Sequence, residues 1–301
     1  MAILVDGETR ILVQGITGHT GANLAARMRD EGSPLVAGVS PGRPGGRMAD
    51  APVFASCSEA VAVTGANASF VCVPARSALD AVIEAVAAGL RTIVVYAEGV
   101  PVHDAVFMSA YGEARGARIL GPNSAGCISP GQANLSDLNE RLLVPGPVGI
   151  VSKSGTLTYE VIAELNGLGL GQSTVACLGG DPVVGTSHAD VLKMFDADAA
   201  TEAVVLIGEI GGRSELDAAE VVAQMRKPVV AYIAGLHAPA GKRMGHAGAL
   251  LGSADENVPG KRAALAQAGA SVVPDLLGIA EAVANALTPP RSEEARRTER
   301  Q

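Results

Sequence analysis

The sequence predicts an α/β protein built from two successive parallel sheets, and three observations carry that prediction. Short apolar, strand-like runs alternate with helix-length segments along nearly the whole chain. The punctuation between them is glycine, proline and small polar residues, which is where such folds place ligands. Finally, 48% of the 301 residues are hydrophobic and 37 are glycine, while only 3% are aromatic and none is Trp. Small and β-branched side chains must therefore do the packing, as they do where helices lie close on strands. The length suffices for two domains.

In the first half, Arg10–Gln14 reads as a buried strand, followed by Gly15-Ile16-Thr17-Gly18-His19-Thr20-Gly21 and a helix from Asn23 to Arg29. Leu35–Val39 is the next strand and ends in Ser40-Pro41-Gly42-Arg43. Ser69–Val73 precedes Pro74 and a helix from Leu79 to Ala88. Thr92–Tyr96 runs into Ala97-Glu98-Gly99, and Arg118–Leu120 into Gly121-Pro122-Asn123. Strands separated by helices of this length imply right-handed crossovers and a parallel sheet. Residues 130–147 lack a clear period and contain Pro-Gly pairs, so they read as the connection between domains 1–129 and 148–288. Alternation restarts at Val148–Val151, with Ser154-Gly155 opening a helix. Further strands are expected at Ser173–Leu178, Ala203–Ile207, Pro228–Ile233 and Ala270–Val273. Residues 289–301 are charged and read as a disordered tail.

The net charge of −8 argues against a general nucleic-acid binder, although Arg43/Arg47 and Lys242/Arg243 form local basic clusters. Cys57, Cys72, Cys127 and Cys177 show no CxxC spacing, so neither a metal cluster nor a disulfide framework is expected; Cys72 and Cys177 read as core thiols. With no signal segment and no long apolar run, the expectation is a soluble cytoplasmic protein that does not enter a membrane.

Four motifs carry chemistry. Gly15-x-x-Gly18-x-x-Gly21, between a strand and a helix, is a cradle for a nucleotide phosphate, since glycine lets backbone approach and the helix start offers free N–H groups. The spacing is not that of the dinucleotide fingerprint, and no acidic residue closes the second strand to hold a ribose. Arg43 there favours a phosphate, which points away from NAD and toward a phosphorylated nucleotide such as coenzyme A. Ser152-Lys153-Ser154-Gly155-Thr156 repeats the device in the second half, bringing hydroxyls and N–H groups onto an anion. His246 lies in a run of small residues, Gly241 to Gly248, with backbone free to approach a ligand. Its imidazole is nucleophilic when neutral. Glu209, in Gly208-Glu209-Ile210-Gly211-Gly212, can hold that imidazole in one tautomer.

Taken together with Gly121-Pro122-Asn123 and Gly179-Gly180-Asp181-Pro182, these motifs resemble the α subunit of succinyl-CoA synthetase, the ADP- or GDP-forming succinate–CoA ligase, over nearly all of residues 1–287. The resemblance implies a Rossmann-like CoA-binding domain followed by a flavodoxin-like ligase domain. It implies that His246 carries phosphate on Nε2 and that Glu209 orients it. It makes Ser152, Lys153, Ser154, Gly155 and Thr156 the phosphate-binding helix start, and Thr17, Gly18, His19, Thr20, Arg43, Tyr96, Ala97 and Glu98 the CoA-binding positions. Tyr159 matches a substrate position, and Asn123, Ser124 and Ala125 border the acid pocket. It also implies a partner β subunit of the ATP-grasp type that holds ATP or GTP with Mg2+, in an assembly of one or two copies of each subunit.

The chain departs from the family at several positions. It has Gly121-Pro122-Asn123-Ser124-Ala125-Gly126 where Gly-Pro-Asn-Cys-Pro-Gly is usual, and Leu135–Arg141 replaces an Ile-Gly-Ile-x-Pro-Gly stretch. Lys153 stands for Arg, and only Arg can fork onto a carboxylate. Arg43 stands where Lys is common. These changes bear on which dicarboxylic acid is used, with succinate expected and malate, the substrate of malate–CoA ligase α subunits, as the alternative. A non-catalytic CoA-binding paralogue is the other alternative, disfavoured by the intact His246, Glu209 and Ser152–Thr156 loop.

Overall fold

A computed structural model describes residues 2–239, 244–250 and 256–288. The tail read at 289–301 and the Lys242/Arg243 cluster lie outside the described residues. Two seven-stranded sheets follow each other along the chain.

The first sheet has the order β3-β4-β2-β1-β5-β6-β7. β1 (Ile11–Gln14) and β5 (Ala68–Val71) are buried at every position, as expected of parallel strands covered on both faces. β2 (Leu35–Val39), β6 (Thr92–Val95) and β7 (Arg118–Leu120) lie parallel with them. α1 (His19–Asp30) follows β1, with Arg27 and Arg29 in its last turn where they suit the helix dipole. α2 (Cys57–Thr64), α3 (Ala78–Ala87) and α4 (Val102–Glu113) complete the layers. The sequence reading passed over β3 (Arg47–Met48), β4 (Ala51–Phe54) and α2. The hairpin is two plus four residues and half-buried, too short to establish a period.

The second sheet has the order β14-β13-β12-β10-β11-β8-β9. Its parallel part is β10 (Pro145–Ser152), β11 (Gln172–Cys177), β12 (Ala203–Glu209), β13 (Val229–Ala234) and β14 (Ser271–Val272). α5 (Gly155–Gly167), α6 (His188–Ala197), α7 (Ser214–Val222), α8 (Val258–Gln267) and α9 (Gly278–Leu287) pack on it. Ser187 and Asp190 form a reciprocal capping box on α6.

The stretch expected as a plain connection, 130–147, is instead built into this sheet. β8 (Gly126–Ser129) and β9 (Ala133–Ser136) form an antiparallel hairpin, and β8 pairs antiparallel with β11. The second sheet is therefore mixed. Both strands are wholly buried yet carry Ser129, Asn134 and Ser136, and those polar residues hid the strand pattern. Each is satisfied internally: Asn134 donates to Leu138 O at 2.9 Å, and Ser129 donates to Val5 O at 2.9 Å, tying the hairpin to the N-terminal segment ahead of β1. Arg27 on α1 donates to the Ser136 carbonyl at 2.7 Å and to that of Asp137, a second tie.

In each sheet one central strand marks the reversal of strand order: β1 in the first and β10 in the second. Such switch points open a crevice at the carboxyl ends of the strands. The Gly15 turn follows β1 and the Ser152–Thr156 turn follows β10, so both motifs stand at crevices.

Candidate active site

The Gly15 turn is shaped by close approach. A Cβ on Gly21 would lie 2.3 Å from the Gly15 carbonyl oxygen, so only glycine lets α1 start so near the strand end. Gly18 caps α1 without a side chain, leaving the first N–H groups to a ligand. Thr17 Oγ1 meets Ser40 Oγ at 2.8 Å, joining this turn to the end of β2. Arg43 is exposed just beyond, its N–H donating to Ser40 O at 3.0 Å.

Three clefts border these residues. One of about 320 Å³ opens beside Gly15 between Val39, Pro41, Val73 and Pro74. A second, of about 380 Å³, is lined by His19, Thr20, Asn23, Arg27, Tyr96 and Asp137 among others. The third, of about 360 Å³, shares Tyr96 and Asp137 and continues past Ala97, Glu98, Asn123, Ser124 and Ala125 to Lys153, Ser154, Gly155, Thr156 and His246. The structure thus brings most of the expected site residues from both halves to one place. Val39, Pro41, Val73 and Pro74 were not foreseen, although their places just after β2 and β5 are the usual sign of a ligand edge.

His246 sits in the third cleft with its Nδ1 at 2.7 Å from Glu209 Oε2. The hydrogen bond that the imidazole donates to Glu209 holds it above the ordinary histidine range, against the opposing effect of burial. The charged groups acting on it are Glu209, Lys153 and Glu98. With Nδ1 committed, Nε2 is the ring nitrogen available to the cleft. A Cβ on Gly180 would lie 2.3 Å from His246 Cγ, so the ring packs directly against a glycine. Glu209 is not a solvated loop acid: its side chain is 12% exposed, and its second oxygen is buried with no hydrogen-bond partner among the described residues.

The Ser154 side chain caps α5 by accepting the Leu157 N–H at 3.2 Å. Three expected residues are placed differently from their neighbours. Ser152 is fully buried and spends its hydroxyl on Ser154, donating to O at 2.9 Å and accepting from N at 3.0 Å, so it shapes the turn and does not face the cleft. Ser124 donates to Cys177 O at 2.5 Å and accepts the Gly126 N–H at 2.9 Å, which spends its hydroxyl at the joint between β8 and β11. Tyr159 lies a turn further along α5 and accepts the Asn139 N–H at 2.8 Å, outside the residues lining the cleft. Asn123 adopts a φ of +58°, a conformation asparagine tolerates, and its N–H donates to Ala97 O at 2.9 Å. Cys72 and Cys177 are held as thiols, burial pushing each up to about 12.

Behind the cleft lies a cluster that sequence reasoning missed. Glu215 is fully buried between Lys261 and Lys153, and Lys261 is itself 0% exposed. His188 donates or accepts at Ser214 Oγ over 2.8 Å, and burial takes its imidazole down to about 4, so it is neutral.

Comparison with known proteins agrees with this layout. A CoA binding domain model matches residues 6–99 and a CoA-ligase model residues 151–271. The ADP-forming succinate–CoA ligase subunit alpha 2 of Archaeoglobus fulgidus is 50% identical over 287 residues, 95% of this chain and 100% of that protein. The malate–CoA ligase subunit alpha of Methylorubrum extorquens is 41% identical over 292 residues, 95% of this chain and 99% of that one. Among solved structures, ATP citrate lyase from Methanothrix soehngenii, in complex with citrate and coenzyme A, superposes with a TM-score of 0.84 at 22% identity. That match covers 99% of this chain and 56% of the longer one, and it shows the shared fold. Identity at this level, end to end, with both family models in order over the two sheets, makes the chain a member of the succinate–CoA ligase α-subunit family and a CoA ligase subunit.

Proposed function

We propose that this subunit, with a β subunit of the ATP-grasp type carrying ATP or GTP and Mg2+, forms succinyl-CoA reversibly through a phosphohistidine at His246 and an acyl phosphate. The observation that carries the reading is the His246–Glu209 pair at 2.7 Å, set in the cleft that also holds the Ser154–Thr156 helix start and Lys153.

In the first step Nε2 takes the γ-phosphoryl group: the N–P bond forms, the bridging P–O bond breaks and the nucleoside diphosphate leaves. The Nδ1 proton stays on the hydrogen bond to Glu209, whose charge supports the cationic phosphoimidazole. The N–H groups opening α5 and the Lys153 ammonium face the phosphoryl oxygens. An oxygen of the acid then attacks phosphorus, releasing the imidazole and giving an acyl phosphate. The CoA thiolate attacks its carbonyl carbon and inorganic phosphate leaves. Each step depends on placing reactants together and countering phosphate charge.

On this reading residues up to about 125 form the CoA-binding unit, with β8 and β9 assigned to the ligase unit that extends to 288. Thr17, Gly18, His19, Thr20 and Arg43 hold the nucleotide phosphates, and Tyr96, Ala97 and Glu98 guide the thiol arm toward His246. Asn123, Ala125 and Lys153 border the acid. No helix among the described residues is long and apolar enough to cross a membrane, in keeping with a place in the cytoplasm.

The test is to incubate the chain with its β subunit and ATP or GTP. An acid-labile, base-stable phosphate on His246 is expected, lost in His246→Ala. The same label persisting in that variant would sink the reading. The competing acid is malate, because Ala125 and Lys153, which stand where Pro and Arg are usual in the family, both line the cleft. Assayed with a panel of acids, the complex should give its highest kcat/KM with succinate. Discrimination against malate should be about 1–3 kcal/mol, the worth of one pocket group. A higher value for malate reverses the assignment.

A further inference from the structure

The Glu215 cluster lies outside the chemistry described so far, and its contacts converge on it. Glu215 stands in the first turn of α7, and a Cβ on Gly208 would lie 2.6 Å from its Cγ, so the strand is left bare where the side chain crosses it. Its Oε1 accepts the Glu209 backbone N–H at 3.2 Å and lies 3.5 Å from Lys153 Nζ. Its Oε2 accepts from Lys261 Nζ. Lys261 donates also to the carbonyls of Glu209 and Gly211, each at 2.7 Å. All three donors of the ammonium are thereby used, and both backbone groups of Glu209 are held by the Glu215–Lys261 pair.

Burial alone would push the Glu215 carboxyl up, but the Lys153 and Lys261 ammonium groups outweigh it and keep it below the ordinary range, so it is ionised. Burial draws the Lys261 ammonium down from its ordinary value, against the pull of Glu215. Well-packed apolar residues can often replace such a buried ionic cluster with no loss of stability. Three charges beside a reactive histidine therefore need a reason other than stability.

We propose that Glu215 is a positioning residue for phosphoryl transfer: one buried carboxylate fixes the backbone that carries Glu209 and tethers the Lys153 ammonium at the wall of the His246 cleft. Lys153 joins the two regions. Its side chain is 11% exposed, it lines the cleft with His246, and its ion pair runs inward to Glu215. An ammonium anchored by one donor keeps the others for an arriving phosphoryl group, with its rotamer already set. The inference rests on the phosphohistidine reading above.

The test compares Glu215→Gln with the parent chain. Glutamine keeps the size and an acceptor for Lys261 or Glu209, and removes the charge. In the reconstituted complex, phosphorylation of His246 should slow about tenfold or more, with CoA affinity close to that of the parent, while the melting temperature falls because Lys261 is left buried without its counter-charge. A second readout is the titration midpoint of the His246 imidazole, followed by NMR on the full chain. It should move down, because a loosened Glu209 supports the imidazolium less and an untethered Lys153 opposes it more. A rate and midpoint both equal to the parent's would overturn the proposal. A slower rate with an unmoved midpoint would also overturn it, making Glu215 part of the scaffold only. If the glutamine variant fails to fold, Glu215→Asp decides. The retained charge on a shorter arm should give the same downward midpoint shift, and parental behaviour would reject the role. Should the parent chain take no label at all, the phosphohistidine reading is what fails, while the imidazole titration still reports on Glu215.

Discussion

The two strand-to-helix turns at the switch points share a backbone plan and differ in what surrounds them. The Gly15 turn is capped by glycine, with no side-chain cap, and Arg43 beyond it is exposed. The Ser152–Thr156 turn is capped by a serine side chain and carries Lys153, with the buried Glu215–Lys261 pair behind it and His246 opposite. A turn that only binds can rely on backbone N–H groups and solvent-exposed charge, which cost little to keep. A turn where a phosphoryl group changes partners needs charges fixed in advance, because reorganising them at the moment of reaction would raise the barrier.

The largest effect expected from breaking this contrast is at Glu209. Glu209→Gln leaves an acceptor for the Nδ1 proton and removes the negative charge, so phosphorylation of His246 should fall roughly a hundredfold with folding intact. The pH dependence carries a sign. Only the neutral imidazole attacks, and Glu209 holds the imidazole above its ordinary range, so the parent's rate should climb with pH through a midpoint above the ordinary histidine value. In the variant that midpoint should move down, and the deficit should be smallest on the acid side. Rapid-quench phosphorylation across a pH series measures it. The same raised value means that the pair stabilises the fold below the unfolded histidine pKa and that this contribution is lost as pH rises through the folded one. A pH profile identical to the parent's would show that Glu209 does not act on the imidazole.

Much of this contrast was legible in the sequence. β1, β2, β6, β7 and the strands from β10 to β14 fall within about two or three residues of the expected runs, because strands buried on both faces read as apolar blocks between turn residues. The pairing of Glu209 with His246 was also expected. Two things were not legible. β8 and β9 carry buried Ser and Asn, some of whose hydrogen bonds are made to distant segments, and no local pattern reports a partner more than a hundred residues away, as Ser129 has in Val5 and Asn134 in Glu31. Lys261 follows Pro259 and Gly260 and precedes Arg262, which reads as a solvated helix start; only the fold reveals that it is 0% exposed and that its acid lies 46 residues earlier. Ser152 and Ser124 show the converse: motif residues whose hydroxyls serve the turn and the sheet joint.

A glycine exchange separates the two turns at intermediate cost. Gly180→Ala places a Cβ 2.3 Å from the His246 ring carbon and Gly21→Ala places one 2.3 Å from the Gly15 carbonyl oxygen. Relief of such overlaps costs on the order of 1–3 kcal/mol. Gly180→Ala should displace the imidazole, slowing phosphorylation while CoA affinity stays at the parent's value. Gly21→Ala should weaken CoA and lower the melting temperature, while His246 is still labelled at the parent's rate. Calorimetric CoA titration and phosphate labelling on both variants check the pattern. If each variant impaired both functions equally, the division between a binding turn and a reacting turn would not hold.

The smallest effect expected concerns Arg43, where the first region's exposed charge is put to the test. Its N–H donates to Ser40, which also meets Thr17, so the guanidinium starts from the rim of the Gly15 turn. CoA differs from dephospho-CoA by one phosphate, and Arg43→Ala should weaken CoA more than dephospho-CoA if the guanidinium meets that group. A charge-assisted contact is worth about 1.5–3 kcal/mol, and solvent around Arg43 favours the lower figure, roughly a tenfold change in Kd. The gap should narrow as salt is raised, since an exposed pair is screened where a buried one is not. By the same argument Glu215→Gln should be nearly indifferent to salt, because Lys261 is buried with it and Lys153 is only 11% exposed. Equal weakening of both ligands by Arg43→Ala would remove it from phosphate recognition, and tighter binding of NAD than of CoA would overturn the assignment of the first region.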